Sequence, residues 1–513
     1  MSTSLRKQAA EAGGPQWRLL PGGKPHRHTE LGRALVWILV LATAFRLWMA
    51  LYGSQGIVAE DTYSVLRQAR NWLDSGRYAL QGAGQADPSA PLTLFGLLLT
   101  PIQAWLGTGT TLFLLAFNTV LWTAAVLAVL RPLRPSVRPT VALLLCLAPA
   151  IVDGAVRGTD AEWLGFLLAM SFASISVGRT AWSLTWFSLA VLSAPSMVFF
   201  APVWIGVHAG RMGPSCATRT LLRWRNGLAL LATFGVWGLI SSQVTGFSLW
   251  DPFVRWAGEL GSPWSSFGEL WRGLASFTLL PWVGKLPAGL QHLAAAATAA
   301  LIVATVVANF RSGTAASRGW LAFYLLMLAF GSGVSGPALD PAASILPALA
   351  FTLAMVPLLL PMVPRFHETR ILKGTAIVLL TLAMPIAFGR SLDRRSVAHD
   401  LESAAQDLEA LHPELLDTPI WTSQAGHFAY LHAGPVLDPV RQAQGLPEEE
   451  RVLTRLVQTA GPILLLISEQ ELAENRFAGL TSVWTTEADH DWWNEHTTRV
   501  ERYGDWHLIA AKP

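Results

Sequence analysis

The stretch PLTLFGLLLTPIQAWL (91–106) decides the topology of this chain. It is apolar throughout, yet short, and it carries proline at Pro91 and Pro101. If it crosses a membrane, every later segment is inverted; if it lies along the outer interface, the later loops keep one orientation. The distribution of Lys and Arg arbitrates, because loops on the cytoplasmic side are enriched in them. With 91–106 on the outer interface, the inner segments are the N-terminal tail, RPLRPSVR (131–138), Arg179, the loop with Arg211, Arg219, Arg223 and Arg225, then Arg311, Arg318 and RFHETRILK (365–373). Together they hold nineteen cations against seven in the much longer outer loops, so the interfacial reading is preferred.

That choice presupposes a membrane protein, and the composition supports one. Of 513 residues 52% are hydrophobic and 14% charged, and the apolar residues come in long blocks. The 23 Trp suit many lipid–water boundary positions. A net charge of +3 is too small and dispersed for nucleic-acid binding. Two cysteines, Cys146 and Cys216, allow neither a disulfide framework nor a thiolate metal site.

Apolar windows predict about eleven spans, near 34–52, 109–130, 139–152, 163–178, 181–194, 196–209, 226–246, 287–310, 319–334, 342–363 and 371–389. The expected organisation is a cytoplasmic tail (1–33), a transmembrane domain (34–389) with long outer loops at 53–108 and 247–285, and an extracytoplasmic α/β domain (390–513). In that last domain TPIWTS, PILLLIS and DWHLIAAKP read as strands, GHFAYLHAG and EEERVLTRLVQTAG as helices, and DHDWWNEH (489–496) as a solvated loop. An odd number of spans puts it outside. Within the first outer loop, DTYSVLRQARNWLDSG reads as a short amphipathic helix flat on the surface, with Val65, Ala69 and Trp72 on one face and Gly76 ending it.

The acids run opposite to the cations. Of fourteen before Arg390, eleven fall outside, among them Glu60, Asp61, Asp153, Asp160, Glu162 and Asp251. Acids do little to orient a chain, so this gathering points to a functional outer face. Asp61 follows the first span, while Asp160 and Glu162 in VRGTDAEWL (156–164) follow the third. Such carboxylates suit a divalent cation or proton abstraction from a hydroxyl. Arg46, inside the first span, reads as snorkelling to the outer boundary.

The segments GIVAEDTYSVLRQARNWLDSGRYAL, PLTLFGLLLTPIQAWLG and APAIVDGAVRGTDAEWLGFLLA together resemble the GT-C superfamily of polyprenyl-phosphate-dependent glycosyltransferases. RGTDAEW is similar to the Asp-x-Glu element of oligosaccharyltransferase catalytic subunits. The EDTY segment and the tail with GHFAYLHAGPVLDP look more like arabinofuranosyltransferases of cell-wall biogenesis. Where many members have a late-loop arginine, SGPALDPAASILPALA carries Asp340 and Ala343 instead.

The resemblance implies a multi-pass protein of the bacterial inner membrane that moves a sugar from a polyprenyl-phosphate donor to a cell-envelope glycan, lipid or protein. It implies Asp61, with Glu60, as catalytic base, and Asp61, Asp160 and Glu162 as ligands of a divalent cation, Mg or Mn, or Asp160 and Glu162 as acids that position the acceptor. Arg157, Arg255, Arg272 and Lys285 are the candidates for the donor phosphate. The competing readings are a transporter or flippase of lipid-linked sugars and a noncatalytic scaffold. A transporter would carry ionisable groups or broken helices at mid-membrane depth, where this sequence offers little beyond Arg46 and His292.

Overall fold

The computed structural model describes residues 25–76, 78, 93–131, 138–147, 157–158, 160–176, 179–193, 204, 235–243, parts of 287–307, 369–432, 434–437, 439, 450–477, 480 and 482–512. The expected spans 196–209, 319–334 and 342–363 and the outer loop 247–285, with Arg255, Arg272 and Lys285, lie outside or almost wholly outside these residues.

Helix α1 (Pro25–Trp48) ends in a π-helical turn, Met49–Gly53. The apolar part, Gly32–Gly53, has 22 residues. At 1.5 Å per residue that is about 33 Å, enough for a hydrocarbon core of about 30 Å. One side is buried through Ala34, Ile38, Ala42 and Phe45, whereas Val36 and Val40 stay exposed. Such an apolar outer face is at home in lipid.

The opening stretch forms α3 (Leu94–Leu106) once α2 (Glu60–Ser75) has intervened. Thr93 caps α3 by accepting from the Gly96 N–H at 3.0 Å. A backbone turn at Gly107 (φ 54, ψ −122) separates it from α4 (Thr110–Leu130). Alone, α3 has 13 residues, about 20 Å, and falls short of a membrane crossing. Phe95, Leu99 and Gln103 are buried while Trp105 is 82% exposed, so α3 has one packed face and one open apolar face.

The helices α5 (Arg138–Leu147), α6 (Ala161–Ser176) and α7 (Thr180–Ser193) match the described parts of three expected spans. The last expected span belongs to one helix, α8 (Thr369–Leu411), 43 residues long with Pro385 inside it. The composition changes at Arg390, but the backbone does not break there.

The tail is built on a mixed five-stranded sheet of order β2-β1-β3-β5-β4. The strands are β1 (Ile420–Thr422), β2 (Val436–Leu437), β3 (Ile463–Ser468), β4 (Thr497–Tyr503) and β5 (Trp506–Ala511). β1 runs parallel to β2 and β3, and β5 antiparallel to β3 and β4. β3 reads as a continuous apolar run because both sheet faces are covered. Leu464 and Leu466 join Leu401, Leu408 and Phe428 on one side; Ile463, Leu465 and Ile467 join Leu453, Val457 and Trp493 on the other.

The first layer comes from α8, whose Leu401, Ala404, Ala405 and Leu408 repeat at helical spacing, and from α9 (Ala425–Leu431). The second comes from α10 (Leu453–Ala460) and α12 (Glu487–His496), with α11 (Glu469–Ala473) between them in sequence. The expected α/β tail is therefore present. DHDWWNEH, however, is helical: Thr486 accepts from the Asp489 N–H at 3.1 Å and Asp489 accepts in return from the Thr486 N–H at 3.0 Å, a capping box that starts α12.

Candidate active site

Between α1 and α2 the chain runs through GIVA before turning into helix at Glu60. Ala59 is extended (φ −73, ψ 158), and its N–H donates to the Arg157 carbonyl at 2.7 Å. Three residues later the Thr62 hydroxyl donates to the Gly158 carbonyl at 3.1 Å. The Thr62 and Tyr63 N–H groups return to the Ala59 carbonyl at 3.0 and 3.2 Å, closing the first helical turn. Glu60 and Asp61 are thus the two residues between a pair of anchors on Arg157–Gly158. The loop leading into α2 and the VRGTDAEWL loop, 96 residues apart at that bond, meet in one clasp.

Gly158 makes this approach possible. Its φ is +67, and a Cβ there would sit 2.8 Å from Val58 Cγ1 and 3.2 Å from Leu115 Cδ2. Arg157, Ala59 and Val58 are all buried, so the clasp is packed and not a loose crossing.

From the clasp the chain enters α6. The Asp160 carbonyl accepts from the Leu164 N–H at 2.8 Å, and Asp160 is half-buried. Glu162 is only 3% exposed, and its Oε2 lies 3.5 Å from Asn118 Nδ2 of α4. The expected carboxylate at the lip of the span therefore points into the helix bundle. Arg46 also turns inward: it is buried, with its guanidinium 5.4 Å from the centre of the Trp122 ring. The snorkelling expected from sequence gives way to a polar seam inside the bundle, where Asn118 is fully buried.

Helix α2 departs from its expected setting as well. Gly76 ends it as predicted, in the left-handed region at φ 72. Yet polar Arg67, Gln68 and Asn71 are buried along with Tyr63, Leu66 and Ala69, so α2 is covered on more than its apolar side. Part of the cover is α9 of the tail. The Tyr63 and His427 rings stack with centroids 3.9 Å apart and planes 1° apart, Tyr430 lies 5.4 Å from Tyr63, and Gln103 Nε2 of α3 reaches the Tyr430 hydroxyl at 3.4 Å. Burial pushes His427 down to about 4, which keeps the imidazole neutral at physiological pH.

Of the residues singled out from sequence, Arg157 and Asp160 lie just before α6 and Glu162 in its first turn, and Arg157 and Gly158 are joined to the backbone around Glu60 and Asp61. The side chains of Glu60 and Asp61 lie outside the described residues. Among the described residues no three His, Cys, Asp or Glu side chains gather as a metal would need. Thr62, Gly158, Asn118, Tyr63 and His427 were not picked out by sequence reasoning. Asn118 alone had a legible signal, as an amide in the middle of an apolar span.

Two solved structures share this architecture over nearly their whole length. ArnT from Cupriavidus metallidurans bound to undecaprenyl phosphate aligns with a TM-score of 0.56 at 15% identity, covering 93% of this chain and 99% of that one. The apo state of the same protein aligns at 0.56 and 16% identity, covering 94% and 99%. The chain shares the fold of these structures. No family model and no curated protein matches the sequence. Identity this low speaks for the fold alone, the polytopic helical bundle with its small C-terminal sheet domain.

Proposed function

We propose that the protein is a membrane glycosyltransferase of the GT-C type, transferring a sugar from a polyprenyl-phosphate donor to a cell-envelope glycan, lipid or protein on the outer face of the bacterial inner membrane. The observation that carries the reading is the clasp. It ties the backbone on either side of Glu60 and Asp61 to Arg157 and Gly158, which supports a reading in which acids and a cation share one site. The fold adds support, since the structure it resembles is described as bound to undecaprenyl phosphate.

In this mechanism Asp61, with Glu60 beside it, takes the proton from the acceptor hydroxyl as that oxygen attacks the sugar's anomeric carbon. The lipid phosphate leaves with its charge stabilised by cations, for which Arg157, Arg255, Arg272 and Lys285 are the candidates. A divalent cation, Mg or Mn, would draw on Asp61, Asp160 and Glu162. Glu162 directs one oxygen at Asn118, which leaves its other oxygen for such an ion. A transporter or flippase is the second reading, and the buried Arg46 beside Trp122 and near the Asn118–Glu162 pair is the observation in its favour.

The test is reconstitution of purified protein in liposomes with radiolabelled polyprenyl-phosphate sugars and envelope acceptors. Transfer by the wild type that falls at least about 100-fold in Asp61→Asn supports the reading. Undiminished transfer by Asp61→Asn removes Asp61 from the chemistry, and label that changes leaflet without changing carrier favours the flippase. Excess EDTA added to the same assay decides whether a metal takes part.

A further inference from the structure

The tail's α9 reaches the first turn of α2, and nothing in the proposed chemistry explains that contact. Tyr63 follows Asp61 by two residues and belongs to the turn closed on the Ala59 carbonyl. On one side this turn is held by Arg157 and Gly158. On another it is held by a full-face stack: Tyr63 and His427, each 6% exposed, 3.9 Å apart and parallel within 1°. Tyr430, one turn further along α9, touches the same ring and ties to Gln103 on α3. Two anchors at different azimuths remove the freedom of the turn to roll about the α2 axis, which a single anchor would leave.

We propose that His427 is a positioning residue for the candidate active site: its ring, stacked on Tyr63, fixes the rotation of the α2 turn that carries Glu60 and Asp61, so the sheet domain completes the site instead of merely decorating the bundle. The inference deepens the glycosyltransferase reading and rests on it for its catalytic half. Its structural half stands without it.

The experiment uses the full-length protein in liposomes or detergent, with His427→Ala, His427→Leu and His427→Phe. Leucine fills space without offering a flat ring; phenylalanine offers the ring without the nitrogens. In the transfer assay, loss of positioning lowers kcat roughly tenfold to hundredfold in the Ala and Leu variants with donor KM held within about twofold, and His427→Phe restores kcat. Amide hydrogen exchange provides the second readout. Residues 59–63 exchange about tenfold faster in the Ala and Leu variants but not in the Phe variant, while the α4 peptide 114–122 is unchanged. Wild-type kcat in His427→Leu, or exchange at 59–63 that does not respond to it, overturns the proposal. So does a His427→Phe variant as slow as His427→Ala, because the nitrogens and not the stack would then matter. If no donor is turned over by the wild type, the glycosyltransferase reading fails, and the exchange arm still judges the positioning.

Discussion

A single glycine limits how near the loop before α2 and the loop before α6 can come. Gly158 combines a positive φ with contact to Val58 and Leu115, so Gly158→Ala adds both backbone strain and a 2.8 Å clash with Val58 Cγ1. The expected cost is about 2–3 kcal/mol, read as a lower midpoint in thermal unfolding of the full chain, together with loss of transfer. A midpoint equal to wild type would show that the clasp is slack. Thr62 tests the same clasp from the α2 side: Thr62→Val keeps the shape but drops the hydroxyl that reaches the Gly158 carbonyl, at a cost of about 1–2 kcal/mol for an unsatisfied buried carbonyl. Glu162→Gln keeps the contact with Asn118 and removes the charge. If the carboxylate assists the reaction, kcat falls while melting is unaffected; if the residue only fills the α4–α6 contact, both stay the same.

At the scale of the element, α12 shows how a cap governs a helix that looked like a loop. The Asp489 carboxyl is penalised by burial but is held down at about 2 by the hydroxyl and N–H of Thr485 and Thr486. Its ordinary value is 3.8, so the stabilisation is complete above about pH 4 and disappears as pH falls through about 2. Asp489→Asn should make amides 485–496 exchange faster at pH 7 by an amount that shrinks toward pH 2; an unchanged difference across that range contradicts the assignment. The T-x-x-D spacing of this box was present in the sequence, but a cluster of His, Asp and Trp obscured it. β4 escaped notice for a different reason: TTRVERY is an edge strand with mostly exposed side chains and lacks the alternation that a half-buried strand shows. By contrast, α3, the Gly76 stop of α2 and the buried strand β3 were legible, because proline, glycine and an apolar run act locally. The neighbourhood of the two acidic loops was also legible, through topology. Arg46 and Glu162 turning inward, and the His427–Tyr63 stack, depend on tertiary packing between distant residues, which no local pattern records.

Over the whole molecule, the seam between α2 and the tail should respond to pH. His427 sits at about 4 in the folded seam against an ordinary 6.5, because burial disfavours the imidazolium. The unfolded or undocked form therefore binds more protons between these values, and docking weakens progressively as pH drops from about 6.5 to about 4. The full effect is on the order of 3 kcal/mol. His432, also held below its ordinary value by burial, lies at the same seam with Glu409 at 3.7 Å and the Arg67 charge near it, and it adds a response of the same sign. Comparing wild type with His427→Phe isolates the His427 share: thermal midpoints measured from pH 7 to 4.5 should diverge, and parallel curves would refute it.

The uninterrupted α8 gives this seam a fixed phase as well as a fixed height. At 1.5 Å and 100° per residue, its 43 residues make a strut of about 64 Å, roughly twice the hydrocarbon core. Rotation and elevation of the sheet domain are therefore set together by residue count. One alanine inserted near Arg390 would swing the domain by about 100° and carry His427 off Tyr63. Seven would return it almost to phase while lifting it about 10 Å. Both insertions should break the seam, the first by angle and the second by distance, so the length of this helix is itself under the constraint of the Tyr63–His427 contact.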